Sequence, residues 1–275
     1  GSFDMTASNV MAIAPQRSSD GYTRLWLNTH QPWEGPVAWY EAHLESKEGW
    51  DFYGALFPGS PVPLIGHNKN LGWSHTVNSP DLIDVYKLTI NKQNENQYWF
   101  EGYWKDFDVR TANIKVNIIG PFSWTFKREV KTSIHGPVLD FSHGTYSLRI
   151  SSIKNLRFIE QWYEMGKSKN LTQFKKAMNI HAIPMFNTGY ADKNGNIYYV
   201  YNAKIPKRNN KYNWSKILPG ESKQAIWYEY VPYNELPFVE NPLEGFFQNC
   251  NSSPYLVTGN RVDSSKPLPD WSGIE

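Results

Sequence analysis

Apolar and polar positions alternate along most of the chain. The runs TRLWLNT (23–29), VAWYEAHLES (37–46), DFYGALF (51–57), GWSHTV (72–77) and DVYKLTI (84–90) have the two-residue period of β-strands and are separated by Gly- and Pro-bearing turns. ANIKVNII (112–119) and FSWTFKREV (122–130) flank Gly120-Pro121 and predict a hairpin, and TYSLRIS (145–151) predicts a further strand. Between 155 and 180 the period changes. NLRFIEQWYEMGK places Leu156, Ile159, Trp162 and Tyr163 on one helical face, and NLTQFKKAMNI offers Asn170 as an N-cap ahead of Leu171, Phe174 and Met178. FNTGYAD and IYYVYNA, joined by KNGN, predict a second hairpin, and 203–243 reads as irregular. The expected class is α+β, dominated by antiparallel sheet.

One more alternating run opens close to the N-terminus. In TASNVMAIAP (6–15) the inward positions are Val10, Ala12 and Ala14, and the run begins on Ser8-Asn9. Ser and Asn are ordinary turn residues ahead of a strand, so this start acquires chemical meaning only from the rest of the chain.

At 275 residues, 40% apolar and 16% aromatic, the chain can bury a sizeable core. The formal net charge of +2, with acids and bases interspersed, lacks the basic stripe of a nucleic-acid binder. No run of about 18 apolar residues offers a transmembrane helix, and the first residues carry no signal-peptide pattern. The single Cys250 excludes an internal disulfide and reads as a small buried hydrophobe. Gly1-Ser2 has the look of a tag scar, and the abrupt ending at DWSGIE is that of a piece of a longer polypeptide.

The common catalytic signatures G-x-S-x-G, H-E-x-x-H, the P-loop and G-x-G-x-x-G are absent, and the seven histidines lack ligand spacing. What remains is three polar clusters at strand ends. NTHQPW (28–33) carries His30, LGWSHTVNSPDLID (71–84) carries Val77-Asn78 and a D-x-x-D pair, and GFFQNCNSSP (245–254) carries Gln248, Asn249 and Asn251. Each alone reads equally well as a turn or an Asx-rich bend.

Taken in order with Ser8-Asn9, these blocks resemble the β subunit of the penicillin acylase family. Ser8-Asn9 with His30 in an H-x-P-W context is similar to that subunit's start. GHNKNLGWSHTVNSPDLIDVY, EQWYEM, NTGYADKNGNIYYV and FFQNCNSSP follow in the family's order. The likeness runs from Ser8 through nearly the whole chain and is nearest the acyl-homoserine-lactone acylase branch.

The resemblance implies an N-terminal nucleophile hydrolase: an αββα sandwich of antiparallel sheets with flanking helices, incomplete here. Residues 1–7 would be a leader, tag or residual pro-segment, and 8–275 a partial β subunit. The implied activity is hydrolysis of a linear amide, releasing an acyl chain from a small amine such as a β-lactam, homoserine lactone or lipopeptide. Ser8 would be freed by autoproteolysis, so that its own α-amine serves as general base. A free α-amine titrates near 7.7–8.0 and needs no separate histidine base. By position, His30 would orient Ser8 or its amine. Val77 would offer a backbone N–H, and Asn251 a side-chain N–H, to the oxyanion. Asn9 would help to position the new terminus. Gln31, Phe57, Met185 and Phe186 would line the acyl pocket. Asp81, the carbonyl of Ile83 and Asp84 would hold a structural calcium ion, with no cofactor needed for the chemistry.

The implied partners are an α subunit from the same precursor, the remainder of the β subunit and a small-molecule amide; nucleic acid and membrane are not among them. The implied location is periplasmic or secreted. Two departures stand out. Seven residues precede Ser8, which makes its nitrogen a non-basic amide while they are attached, and the family's downstream arginine has only Arg261 as a candidate, in a poorly matching context. The rival readings are a glycan-binding module using Trp39, Trp50, Trp99 and Trp104, and an inactive acylase-like scaffold.

Overall fold

A computed structural model describes residues 7–120, 122–259 and 268. Most of the proposed 1–7 leader, and Arg261, lie outside the described residues. The chain first forms β1 (Ser8–Ile13), β2 (Arg24–Thr29), β3 (Tyr40–Glu45), β4 (Asp51–Leu56), β5 (Ile65–His67) and β6 (Leu71–Thr76). Then come β7 (Ile83–Leu88), β8 (Gln97–Phe100), β9 (Tyr103–Asp106), β10 (Asp108–Ile119), β11 (Phe122–Thr132), β12 (Val138–Phe141) and β13 (Gly144–Ile150). Helices α1 (Phe158–Lys167) and α2 (Leu171–Met178) lead into β14 (Asn187–Asp192), β15 (Ile197–Val200), β16 (Leu218–Pro219), β17 (Phe238–Glu240) and β18 (Phe246–Asn249). These elements fall into two compact units, residues 82–151 with 206–229 forming one and the remainder the other.

The larger unit is layered. A seven-stranded sheet in the order β17-β15-β14-β6-β5-β4-β3 forms its middle, and a three-stranded sheet, β18-β1-β2, forms a second β layer. Strands β6, β14 and β15 are buried at every position, as strands covered on both faces must be. Their side chains alternate between two cores. Trp73, Tyr190, Tyr198 and Val200 pack with Trp162, Met165, Phe174 and Met178 of the helices. Ala191, Ile197 and Tyr199 pack with Val10, Ala12 and Phe247 of the three-stranded sheet. The result is an α–β–β stack, and the described α-helices all belong to its one helical layer. Gly189 permits the close approach of the two sheets, since a Cβ there would come within 2.6 Å of the Val10 side chain.

Asn170 caps α2 as its sequence suggests, accepting the Gln173 N–H at 3.0 Å. The inward face of α1 differs from expectation. Gln161, Trp162, Met165 and Gly166 are buried, whereas Leu156 precedes the helix and is 74% exposed. Gln161 is recruited because its Oε1 accepts the N–H groups of Ala182 and Ile183, a demand that apolar periodicity cannot register.

The second unit holds a four-stranded sheet, β12-β13-β7-β16, and two ribbons, β8-β9 and β10-β11. The predicted hairpin around Gly120 is β10-β11. Its register puts Ile114 opposite Phe126 and Val116 opposite Trp124 on one face, with Asn113 opposite Lys127 and Lys115 opposite Thr125 on the other. Both strands are exposed along nearly their whole length, with only Ala112, Lys131 and Thr132 half-buried.

Candidate active site

Ser8 heads β1 and is buried, with its peptide bond to Ala7 intact. It is framed on one side by β2, in the register Ser8 opposite Thr29 and Asn9 opposite Asn28. On the other side β18 pairs with β1 from Val10 onward, and the chain just past β18 returns to Ser8. Residues Phe246–Asn249 of GFFQNCNSSP, a segment that by itself reads as a turn or an Asx-rich bend, form a strand paired with β1. This pairing carries Asn251 back to Ser8 across 243 positions: the Ser8 N–H donates to Asn251 Oδ1 at 2.6 Å.

The scissile carbonyl of the expected processing event is held in the same place. Ser8 Oγ donates to the Ala7 carbonyl oxygen at 2.6 Å. The backbone N–H of His30, continuing the β1–β2 ladder, donates to that oxygen at 3.0 Å. The His30 ring does not reach Ser8 directly; its Nε2 is paired with Asn9 Nδ2 at 3.1 Å. Asn9 and His30 thus form a pair beside Ser8.

Val77 and Asn251, expected to share an oxyanion, are brought together. Asn251 Nδ2 donates to the Val77 carbonyl at 2.7 Å, which occupies one of its two amide hydrogens and leaves the second to point elsewhere. Asn251 has φ +65°, a left-handed conformation that asparagine tolerates better than most residues. It is fixed from below by Asn249, whose side chain is fully buried. Asn249 Oδ1 accepts from the Asn251 N–H (3.1 Å), Thr76 Oγ1 (2.5 Å) and Asn187 Nδ2 (3.2 Å). Tyr199 Oη donates to Asn187 Oδ1 at 2.7 Å, completing a buried polar network under the site.

Beside Ser8 opens a pocket of about 50 Å³, several times the roughly 10–15 Å³ that one water needs. Of the residues named from the resemblance for the acyl pocket, Gln31, Phe57 and Phe186 line it. Met185 is not among the lining residues; its carbonyl instead accepts from Asn202 Nδ2 at 3.5 Å. Trp39, His75 and Trp162, which the site assignment from sequence did not include, also line the pocket, with Thr29, Leu64, Ile65 and Thr76. Trp39 stacks on Phe57 with centroids 4.5 Å apart and planes 12° from parallel.

His75 is the informative addition. Trp162 Nε1–H donates to its Nε2 at 3.0 Å, so that nitrogen carries no proton. Nδ1 therefore bears the hydrogen and faces the Asn187 carbonyl (3.2 Å) and Thr188 Oγ1 (3.1 Å). Burial pushes its pKa down to about 4. The ring is neutral, both nitrogens are satisfied, and it adds no charge to a mainly apolar pocket. The only sequence signal was a histidine inside the continuously buried run GWSHTV.

The remaining assignments separate from this site. Asp81 belongs to the larger unit, and Ile83 and Asp84 to the smaller. Asp84 is buried and its Oδ2 accepts from Arg208 Nε (2.9 Å) and Trp227 Nε1 (2.6 Å), so an arginine already meets its charge. Among the described residues no three His, Cys, Asp or Glu side chains gather as a metal cluster. Cys250 is exposed rather than buried, because it lies just beyond β18 on the turn that returns to Asn251. Of the tryptophans considered for glycan stacking, Trp39 and Trp50 pack against the helical core. Trp99 and Trp104 face each other across β8–β9, with centroids 5.0 Å apart. Among the described residues no helix is long and apolar enough to cross a membrane.

Comparison with known proteins gives the family and the fold. Residues 2–271 match the penicillin amidase family. The acyl-homoserine lactone acylase PvdQ of Pseudomonas fluorescens (strain Pf0-1) is 31% identical over 207 residues, covering 72% of this chain and 27% of that protein. The aculeacin-A acylase of Actinoplanes utahensis is 27% identical over 208 residues, covering 73% and 26%. The fold is similar to that of a thermostable penicillin G acylase from Alcaligenes faecalis, with a TM-score of 0.75, 24% identity, and coverage of 96% of this chain and 47% of that one. The chain thus spans about a quarter of the length of the curated relatives it matches, and the match of residues 2–271 to the family shows that it belongs to the penicillin amidase family.

Proposed function

We propose that this chain carries the nucleophile of an N-terminal-serine acylase, which hydrolyses a linear amide to release an apolar acyl group from a small amine. The observation that carries the reading is the convergence of Ser8, Asn251 and Val77 at the mouth of an apolar pocket.

With residue 7 attached, Ser8 has an amide nitrogen that cannot act as a base. Self-cleavage begins when Ser8 Oγ attacks the Ala7 carbonyl carbon. The His30 N–H, already on the carbonyl oxygen, stabilises the charge that develops there. The Ala7–Ser8 C–N bond breaks, the hydroxyl proton goes to the departing Ser8 nitrogen, and an ester links Ala7 to Oγ. Water hydrolyses that ester and leaves Ser8 with a free α-amine.

The amine, with a reference pKa of about 7.7–8.0, is poised to accept the Oγ proton near neutral pH. Oγ then attacks the substrate carbonyl. The Val77 N–H and the second hydrogen of Asn251 Nδ2 stabilise the oxyanion, while Asn251 Oδ1 remains the acceptor for the amine. The α-ammonium proton passes to the leaving amine, and water, deprotonated by the same α-amine, releases the acyl group. The pocket wall of Phe57, Phe186, Trp39, Trp162 and neutral His75 suits an apolar acyl chain. The relatives named as acylases of acyl-homoserine lactone and aculeacin A support an acyl amide as the substrate class.

The α subunit and the remaining β-subunit polypeptide belong to this proposal as the partners that complete the enzyme, and export to the periplasm or beyond as its location. Calcium at Asp81, Ile83 and Asp84 remains a proposal for a structural ion, with no step in the chemistry. Intact-mass measurement of the protein expressed as its whole precursor tests the reading. Scission between Ala7 and Ser8, lost in Ser8→Ala together with turnover of N-acyl amides, supports it. An active protein with an uncut Ala7–Ser8 bond overturns it.

A further inference from the structure

The wall of the acyl pocket contains a residue in a conformation that it does not adopt unaided. Phe186 has φ +97°, a region open to glycine but strained for a bulky side chain. Its ring lines the pocket and lies 5.8 Å from that of His75. Such a conformation persists only where neighbours hold it, and the holders are visible. The Phe186 N–H donates to Asn78 Oδ1 at 2.8 Å. Asn78 is itself buried, and its Nδ2 donates to the Asn202 carbonyl at 3.0 Å. Asn202, wholly buried, turns its own Nδ2 back onto the carbonyls of Ile183 (3.1 Å) and Met185 (3.5 Å). The turn from Ile183 to Phe186 is thereby tied down at three backbone groups by two asparagines.

We propose that Asn78 is a specificity-determining positioning residue, which sets the depth of the acyl pocket by holding Phe186 in its strained conformation. The proposal rests on the acylase reading and deepens it. Asn78 touches neither the acyl group nor the reacting atoms. It follows Val77 directly in sequence, so one side chain ties the oxyanion end of β6 to the pocket wall. With that acceptor removed, the Phe186 backbone relaxes toward negative φ, the ring leaves its place, and the pocket accepts a different acyl length. A methylene gained or lost in an apolar pocket changes kcat/KM by roughly 10–200-fold, so the change is readable as a ratio.

The test uses the processed enzyme, expressed as its whole precursor, with a series of straight-chain N-acyl amides of increasing length. Asn78→Ala should shift the ratio of kcat/KM between long and short chains by about tenfold or more. Phe186→Gly, which adopts φ +97° without strain, should also move the preference toward longer chains. In the Phe186→Gly background, Asn78→Ala should then change the ratio little, because the group through which it acts is gone. A uniform loss across all chain lengths, or a shift of equal size in both backgrounds, overturns the proposal. Should Asn78→Ala fail to fold, Asn78→Ser removes the same contact with a smaller change and carries the same expectation. A wild-type enzyme that turns over none of the series defeats the acylase reading instead, and the same ratio is then read from the affinities of the matching free carboxylic acids. An unchanged affinity ratio in Asn78→Ala overturns the Asn78 proposal on its own.

Discussion

The backbone nitrogen of Ser8 and the side-chain oxygen of Asn251 lie 2.6 Å apart. This contact is an amide N–H donating to an amide oxygen, and on the acylase reading proposed above the same oxygen would receive the freed α-amine. The Asn251 side-chain nitrogen donates to the Val77 carbonyl oxygen. Asn251→Ala should lower kcat by about 10²–10³-fold, the usual cost of losing one oxyanion donor, with a smaller change in KM. Single-turnover kinetics on a chromogenic N-acyl amide measures this.

Asn249 supports that donor from beneath. Three donors converge on its Oδ1, and each would be left buried without its acceptor in Asn249→Ala, at about 1–3 kcal/mol apiece. Thr76→Val removes one of these bonds and the one Thr76 Oγ1 accepts from Asn187 Nδ2, whose donor keeps Asn249 Oδ1, and should cost about 1–2 kcal/mol. Urea titration of the two variants should rank them in that order, with Asn249→Ala also slower in turnover than its folded fraction explains.

Acid should unfold the protein through its buried histidines. His75, His135 and His181 each have a pKa pushed down to about 4 by burial. The unfolded chain takes up these protons near 6.5 and the folded one only near 4. Stability therefore rises with pH across that window and falls as pH drops from about 6.5 toward 4, by up to about 1 kcal/mol per pH unit for each histidine. His75→Gln should flatten the pH dependence of the urea midpoint by about one proton's worth. A slope unchanged by that substitution contradicts the assignment.

The pair Arg208–Asp84 in the smaller unit has no exposed side-chain surface on either partner. Arg208→Met leaves a buried carboxylate without that counter-charge, a change that typically costs about 3–5 kcal/mol. Joint replacement by apolar residues should recover much of the loss, and chemical denaturation of the single and double variants measures both.

Much of the fold was legible because period is a local property. The strands β1 to β4, β6 and β7, the β10–β11 and β14–β15 hairpins and both helices follow from alternation, turn residues and the Asn170 cap, whereas the three-residue β5 is too short to show a period. The candidate site was named for another reason: Ser8, His30, Val77 and Asn251 stand in blocks whose order resembles a family. What escaped was long-range. The pairing of β18 with β1 depends on a register between residues more than 230 positions apart, and no window of sequence carries it. His75 and Asn249 are polar residues whose partners come from other strands, so their burial could not be read from their neighbours. Met185 stands one residue from the pocket wall, and the positive φ of Phe186 decides which of the two faces inward.

The β10–β11 ribbon has a physical consequence for handling the molecule. Ile114, Val116, Trp124 and Phe126 form an oily stripe, each being 42–61% exposed to solvent. A twisted two-stranded ladder also keeps unsatisfied amides along both margins. At high concentration the purified polypeptide should therefore stick to itself and to glass, plastic and detergent micelles through this finger. Light scattering should show the clusters dispersing in Trp124→Lys, while its far-ultraviolet dichroism stays that of the parent.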